Sequence, residues 1–206
     1  MASSILLAIL TVLVALTNAA RLPPTSDQTA LMARYIVNEA EWASIATVSV
    51  RNNSKDYPFV TLISASDGAV GQGTGVIYML MSPYSFAGQD LEKNSRVTMM
   101  MSLAQGSFCK DRGYDPMDPR CARVIFTGTV KKIKHTDAEY ETAKSALFTR
   151  HVALSHTPKR FDYYFAKLEI ETIVVYTQFG YPQSIDAKEY YYIDKNNINP
   201  YARRYK

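Results

Sequence analysis

Two cysteines, three histidines and a glycine-rich run are the residues whose types first invite a chemical reading. Cys109 and Cys121 could form a disulfide, act as reactive thiols or begin a zinc site. Zinc is normally held by four Cys or His ligands at short internal spacings. His135, His151 and His156 are not so arranged, and an internal bridge is the favoured reading. It would close a loop holding Gly113, Pro116 and Pro119, which the chain-entropy model credits with about 3 kcal/mol. Gly71, Gly73 and Gly75 stand on alternate positions and suggest a phosphate loop. Such a loop follows a strand and opens a helix whose amino end faces the phosphate. Here the apolar run Val76 to Met81 follows instead, so the segment reads as a flexible connection. Ser82, Tyr84 and Ser85 lack the glycines of a nucleophile elbow. Glu39 and Glu41 are one residue off the spacing that shares a helix face. The histidines suit solvated or capping positions, although imidazole would titrate in an acidic lumen. The residues therefore nominate no catalytic group, no metal ligand and no cofactor.

Asn52, Asn53 and Ser54 form an acceptor site for N-linked sugar, with Asn52 modified, inside the polar run Arg51 to Asp56. The chain's beginning gives that motif its weight. An apolar run from Ile5 to Leu16 is shorter than the roughly 20 residues a membrane span needs. It is followed by Thr17, Asn18, Ala19 and Ala20, the layout of a cleaved secretory signal. We read residues 1–20 as signal peptide, 21–193 as one domain and 194–206 as a basic tail. Secretion, or delivery to the endosome–lysosome lumen, is a route on which a disulfide persists. No later stretch is long and apolar enough to be an integral membrane segment. The net charge of +4 is mild. Its cations, Lys110, Arg112, Arg120, Arg123, Lys131, Lys132 and Lys134, are loosely grouped as on a solvated face, which argues against a nucleic acid partner.

The elements that must position these residues follow from periodicity. Ser26 or Asp27 offers a cap, and Ala33, Ile36, Val37 and Ala40 form a helical stripe. Ile45 to Val50 and Phe59 to Ala65 are short and rich in β-branched residues, and they flank the Asn52 loop as a hairpin. Val76 to Met81 suits a buried strand, Tyr84 to Asn94 a short helix, and Arg96 to Ser102 a strand with Val97, Met99 and Met101 on one face. Met79, Met81, Met99, Met100 and Met101 read as core filling between strands. A long strand carries Gly128 at its middle, where a bend is expected. Thr136 and Glu139 form a capping box before a helix with Tyr140, Ala143 and Leu147 inward. Tyr163 to Thr177 supplies the last strand. Six strands joined largely in sequence favour an antiparallel barrel with flanking helices, an α+β or mainly β fold without open edges.

Three stretches carry a resemblance: Ser44 to Ser49, Asp90 to Thr98, and Thr127-Gly128-Thr129-Val130. They resemble the flavin-binding split barrels that include the pyridoxamine phosphate oxidases. A closer likeness lies in Ser102 to Gln105 leading to Phe108-Cys109-Lys110, Gly113 and Asp115-Pro116. Ser145 to His151 and Tyr164 to Leu168 extend it, and together these words are similar to the CREG family of secreted and endolysosomal glycoproteins. The resemblance implies a six-stranded split barrel, a homodimer, partners among cell-surface or endolysosomal receptors, and a flavin groove no longer in use. Flavin-binding relatives usually place a Lys four residues before the Leu matching Leu91. Here that position is Ala87, and a buried phosphate would lack this counter-charge. Arg96 is the cation left near the groove, with a surface contact its expected duty.

Overall fold

The computed structural model describes residues 23–193; the signal peptide read at 1–20 and the tail read at 194–206 lie outside them. Six antiparallel strands close a barrel: β1 (Trp42–Val48), β2 (Pro58–Ser66), β3 (Tyr78–Met81), β4 (Arg96–Ser102), β5 (Arg123–Lys132) and β6 (Tyr164–Tyr176). Their order is β3-β2-β1-β4-β5-β6, and pairing of β3 with β6 completes the ring. A short β7 (Gln183–Ile185), not foreseen in the sequence, pairs with the far end of β6 at Ile173 to Val175. The hairpin β1–β2 forms as expected, with Val48 opposite Pro58.

Alternation explains the interior. Ile45, Val97, Met99, Met101, Val124, Phe126, Leu168 and Ile173 turn inward from their strands and fill the barrel with Met79 and Met81. Met100 is the exception among the expected core methionines: it points outward and is 38% exposed, because neighbours on a strand face opposite sides. Strand β3 is apolar throughout because both its faces are covered. Met79 and Met81 face the barrel, while Tyr78 and Leu80 pack with Ala143, Ala146, Leu147 and Phe165 beneath the helix α4 (Tyr140–Arg150).

Four more helices flank the ring: α1 (Thr29–Glu39), α2 (Phe86–Lys93), α3 (Phe108–Asp111) and α5 (Ala187–Tyr191). Two caps differ from expectation. Helix α1 starts at Thr29, after a turn in which the Gln28 N–H donates to Thr25 O at 3.0 Å, so neither Ser26 nor Asp27 caps it. Helix α4 starts at Tyr140, without the Thr136–Glu139 box. The Glu139 carboxylate instead pairs with Lys167 on β6 at 2.6 Å, and the Lys134 N–H donates to Asp137 Oδ2. Arg150 ties α4 to α1 by donating to the carbonyls of Asn38, Glu39 and Ala40 at 2.6, 3.1 and 3.3 Å.

The bend expected at Gly128 is a register shift between Thr127 and Gly128 in the β5–β6 ladder. A Cβ at Gly128 would lie 2.0 Å from Glu169 O, so the two backbones can approach only because position 128 has no side chain. Substituting Gly128→Ala is therefore expected to destabilise the barrel by about 1–3 kcal/mol, the usual cost of overpacking. Chemical denaturation should show a lower midpoint with an unchanged m-value.

Candidate functional site

The glycine loop was expected to be slack, and the structure closes it instead. Asp67, directly after β2, is 1% exposed. Its Oδ2 accepts the Gly75 N–H at 3.0 Å, its Oδ1 accepts from Asn38 Nδ2 at 2.8 Å, and its carbonyl accepts the Thr74 N–H at 2.9 Å. The Gly71 N–H donates to Asn38 Oδ1, and the Gln72 N–H to Ala69 O. Backbone N–H groups clustered in this way form a concavity that attracts anions. Here the donors are taken by the chain itself: the Gly75 N–H by the Asp67 carboxylate, the Gly71 N–H by Asn38 Oδ1, and those of Gln72 and Thr74 by backbone carbonyls. Glycine is required at two points. A Cβ at Gly73 would meet Asp67 Oδ2 at 2.1 Å, and Gly75 adopts a left-handed φ of 84°.

Around this loop lies a buried polar assembly that reaches the last helix. Arg34 of α1, 1% exposed, donates from Nη2 to Gly73 O at 2.7 Å and from Nη1 to Tyr190 O at 3.1 Å. Tyr190 of α5 is wholly buried, stacks edge-on against Phe126, and donates its hydroxyl to Gly75 O at 3.0 Å. Burial pushes the Asp67 carboxyl above its ordinary value, against the opposing pull of Asn38, the Gly75 N–H, Arg34 and Arg150. Burial likewise pushes the Tyr190 phenol well above its own, with Asp67 adding to the rise.

The first turn of α2 is the second place that gathers backbone N–H groups. Ala87 is buried there. The Gly88 N–H donates to Ser85 Oγ at 3.0 Å and the Gln89 N–H to Ser85 O, so the cap comes from the chain itself. A Cβ at Gly88 would lie 2.0 Å from Ser82 O, which shows how closely the turn is pressed against the backbone before it. Arg51 packs against this turn, its guanidinium 4.3 Å from the Phe59 ring and 4.4 Å from the Phe86 ring. Its charge is matched by the buried Asp90 at 3.3 Å, which also accepts from Thr47 Oγ1 and the Val50 N–H. No surplus positive charge results at Ala87.

On the outer barrel face a groove of about 430 Å³ runs between β1, β4 and β5, lined by Thr47, Asp56, Arg96, Thr98, Thr127 and Glu171. Arg96 is exposed and donates Nε to Asn94 Oδ1 at 3.3 Å. The two carboxylates in the lining oppose an anionic ligand. A flavin phosphate, nearly doubly charged, needs cations or free N–H donors, and the residues present do not fit it at any of these three places.

The remaining sequence candidates fall far from one another. Cys109 and Cys121 are bonded, with Cα atoms 5.4 Å apart. Asn52 is exposed in the β1–β2 turn, and Ser54 Oγ lies 2.8 Å from Ser49 Oγ. His151 Nε2 is 3.0 Å from Ala65 O, and His135 stacks on Tyr140. Among the described residues, no three or more His, Cys, Asp or Glu side chains are grouped to hold a metal ion. Among the cations read as a loose group, Lys131 pairs with Glu169, Arg120 with Asp118, and Lys132 and Arg123 lie over Tyr164 and Tyr176. Arg34, Asn38, Asp67 and Tyr190 were not anticipated. Two of them left a signal, since Arg34 interrupts the apolar stripe Ala30, Ala33, Val37 on α1 and Asn38 stands four residues beyond it.

The fold and sequence have relatives. Protein CREG1 of Mus musculus is 39% identical over 170 residues, covering 82% of this chain and 76% of that one. Protein CREG1 of Homo sapiens is 38% identical over 176 residues, covering 84% and 79%. Among solved structures, the heme binding protein from Mycobacterium smegmatis superposes with a TM-score of 0.61 at 16% identity, over 82% of this chain and 61% of that chain. Campylobacter jejuni ChuZ gives 0.57 at 10% identity, over 78% and 60%; both likenesses are of fold alone. The family model "CREG, beta-barrel" matches residues 24–192, and with these relatives it establishes that the chain belongs to the CREG family.

Proposed function

We propose that this chain is a non-catalytic secreted or endolysosomal glycoprotein that works as a homodimer by binding a partner protein, a receptor at the cell surface or in the endolysosomal lumen. The observation that carries this reading is that the anion-attracting places of its barrel are filled by its own groups: Asp67 in the glycine loop, Ser85 on α2, Asp90 beside Arg51. A flavin-dependent oxidoreductase would have to displace a buried carboxylate or desolvate its phosphate uncompensated. Porphyrin or lipid carriage finds no support in the barrel interior either, where Met79, Met81, Met99 and Met101 are packed against Ile45 and Phe126.

Compartment is supported by the signal-like residues 1–20, the exposed sequon at Asn52 and the cysteine pair, and among the described residues no helix is long and apolar enough to cross a membrane. Self-association is supported by the outward face of β2, β1 and β4. Leu62 lies beside Ser44, which Met100 flanks on its other side, and Val60 lies beside Ala46, flanked likewise by Thr98. Val60 and Leu62 are each 61% exposed on this face, next to the groove that carries Asp56, Arg96 and Glu171. An isologous dimer centred on them would bury both side chains.

Three outcomes test the proposal. Protein purified from the medium of secreting cells is expected to be colourless and to leave flavin mononucleotide fluorescence unquenched; yellow material with one flavin per subunit would restore the enzyme reading. Treatment with an N-glycosidase should lower its mass, and Asn52→Gln should abolish that change. Sedimentation should report a dimer for the wild type and a monomer for Leu62→Asp, whereas a monomeric wild type would remove the dimer from the account.

A further inference from the structure

Buried acids in folded proteins usually face a cation directly, and Asp67 does not. The Arg34 guanidinium turns its Nη groups to the carbonyls of Gly73 and Tyr190. Among the described residues its Nε has no hydrogen-bond partner. The carboxylate is held by neutral donors, the Asn38 amide and the Gly75 N–H. Those contacts join three separate pieces of chain: α1 through Arg34 and Asn38, the glycine loop through Gly73 and Gly75, and α5 through Tyr190. Asp67 also lines an open groove of about 470 Å³ between the loop and α4, so protons can reach it from solvent.

We propose that Asp67 is the proton-uptake site of a latch made by the glycine loop, Arg34 and α5, and that the closed latch is more stable in acid than at neutral pH. Each element packed around Asp67 supplies a group that bears on this: Arg34 from α1, Arg150 from α4, Tyr190 from α5, with Tyr78 and Glu141 sharing the groove. The arginines favour the carboxylate and burial opposes it, and burial is the larger influence. A carboxyl whose folded value lies above its unfolded value binds its proton more tightly in the fold. Its contribution is then fully present below the unfolded value and is lost as pH rises through the folded one. This is the reverse of Asp27 and Asp118, whose lowered values favour the fold only while ionised. The linkage belongs to the fold and holds whether or not the protein reaches an acidic compartment.

The test compares melting temperatures of the wild type and Asp67→Asn from neutral pH down to about pH 4.5. Asn cannot accept the Gly75 N–H in the same way and can shift stability by a constant, so the informative quantity is how the difference changes with pH. The wild type should gain on the variant by about 2–4 °C as the pH falls, the size of a single-site effect in a domain of this length. A difference that stays flat, or in which the wild type loses ground to the variant as the pH falls, overturns the proposal, the latter by making Asp67 an ionised partner of Arg34. If the variant does not fold, the carbon NMR titration of the wild-type Asp67 carboxyl decides: a midpoint above that of free aspartate supports the latch and one below it refutes it.

Discussion

A carboxylate taken out of water must be surrounded by donors, and in this barrel that requirement organises more than its own neighbourhood. Asp67 draws in the N–H of Gly75 and the Asn38 amide, which folds the glycine loop onto α1. The closed loop presents the Gly73 and Gly75 carbonyls, and these receive Arg34 and the Tyr190 hydroxyl. Helix α5 is thereby fixed over the barrel end, with the Tyr190 ring against Phe126. One buried acid thus connects α1 to α5.

The same geometry bears on function. Anion sites arise where backbone N–H groups gather, and such sites are useful only when their donors are free. In this chain the donors are engaged from within, by a carboxylate in the glycine loop and by a serine cap on α2, while Arg51 is matched by Asp90 and flanked by two aromatic rings. The surface carries the exposed Val60 and Leu62 of β2, the exposed Asn52 turn, and the groove flanked by Asp56 and Glu171.

Much of the fold was legible in the sequence because alternation and β-branching mark half-buried strands directly. All six barrel strands stand where the pattern put them, and Gly128 marks the irregularity expected of it. Family membership was legible too, in words such as Phe108-Cys109-Lys110. Helix caps were less so, because Glu139 had two possible partners and only the folded chain brings Lys167 to it. The strand β7 is three residues long and carries too little pattern to announce itself. The buried assembly was hidden for a stronger reason. Nothing local tells that Asp67 faces inward or that a tyrosine more than a hundred residues later closes over it. A glycine run beside an acid looks like a loose turn until the acid is seen to fill it.

The most direct measurement is amide hydrogen exchange at Gly71, Thr74 and Gly75, with and without flavin mononucleotide. If the loop's donors belong to Asp67, Asn38 and the loop itself, these amides are protected in the free protein and the nucleotide leaves them unchanged. Fast exchange in the free protein that slows when the nucleotide is added would contradict the account, since it would mean that the site was open and waiting for an external anion.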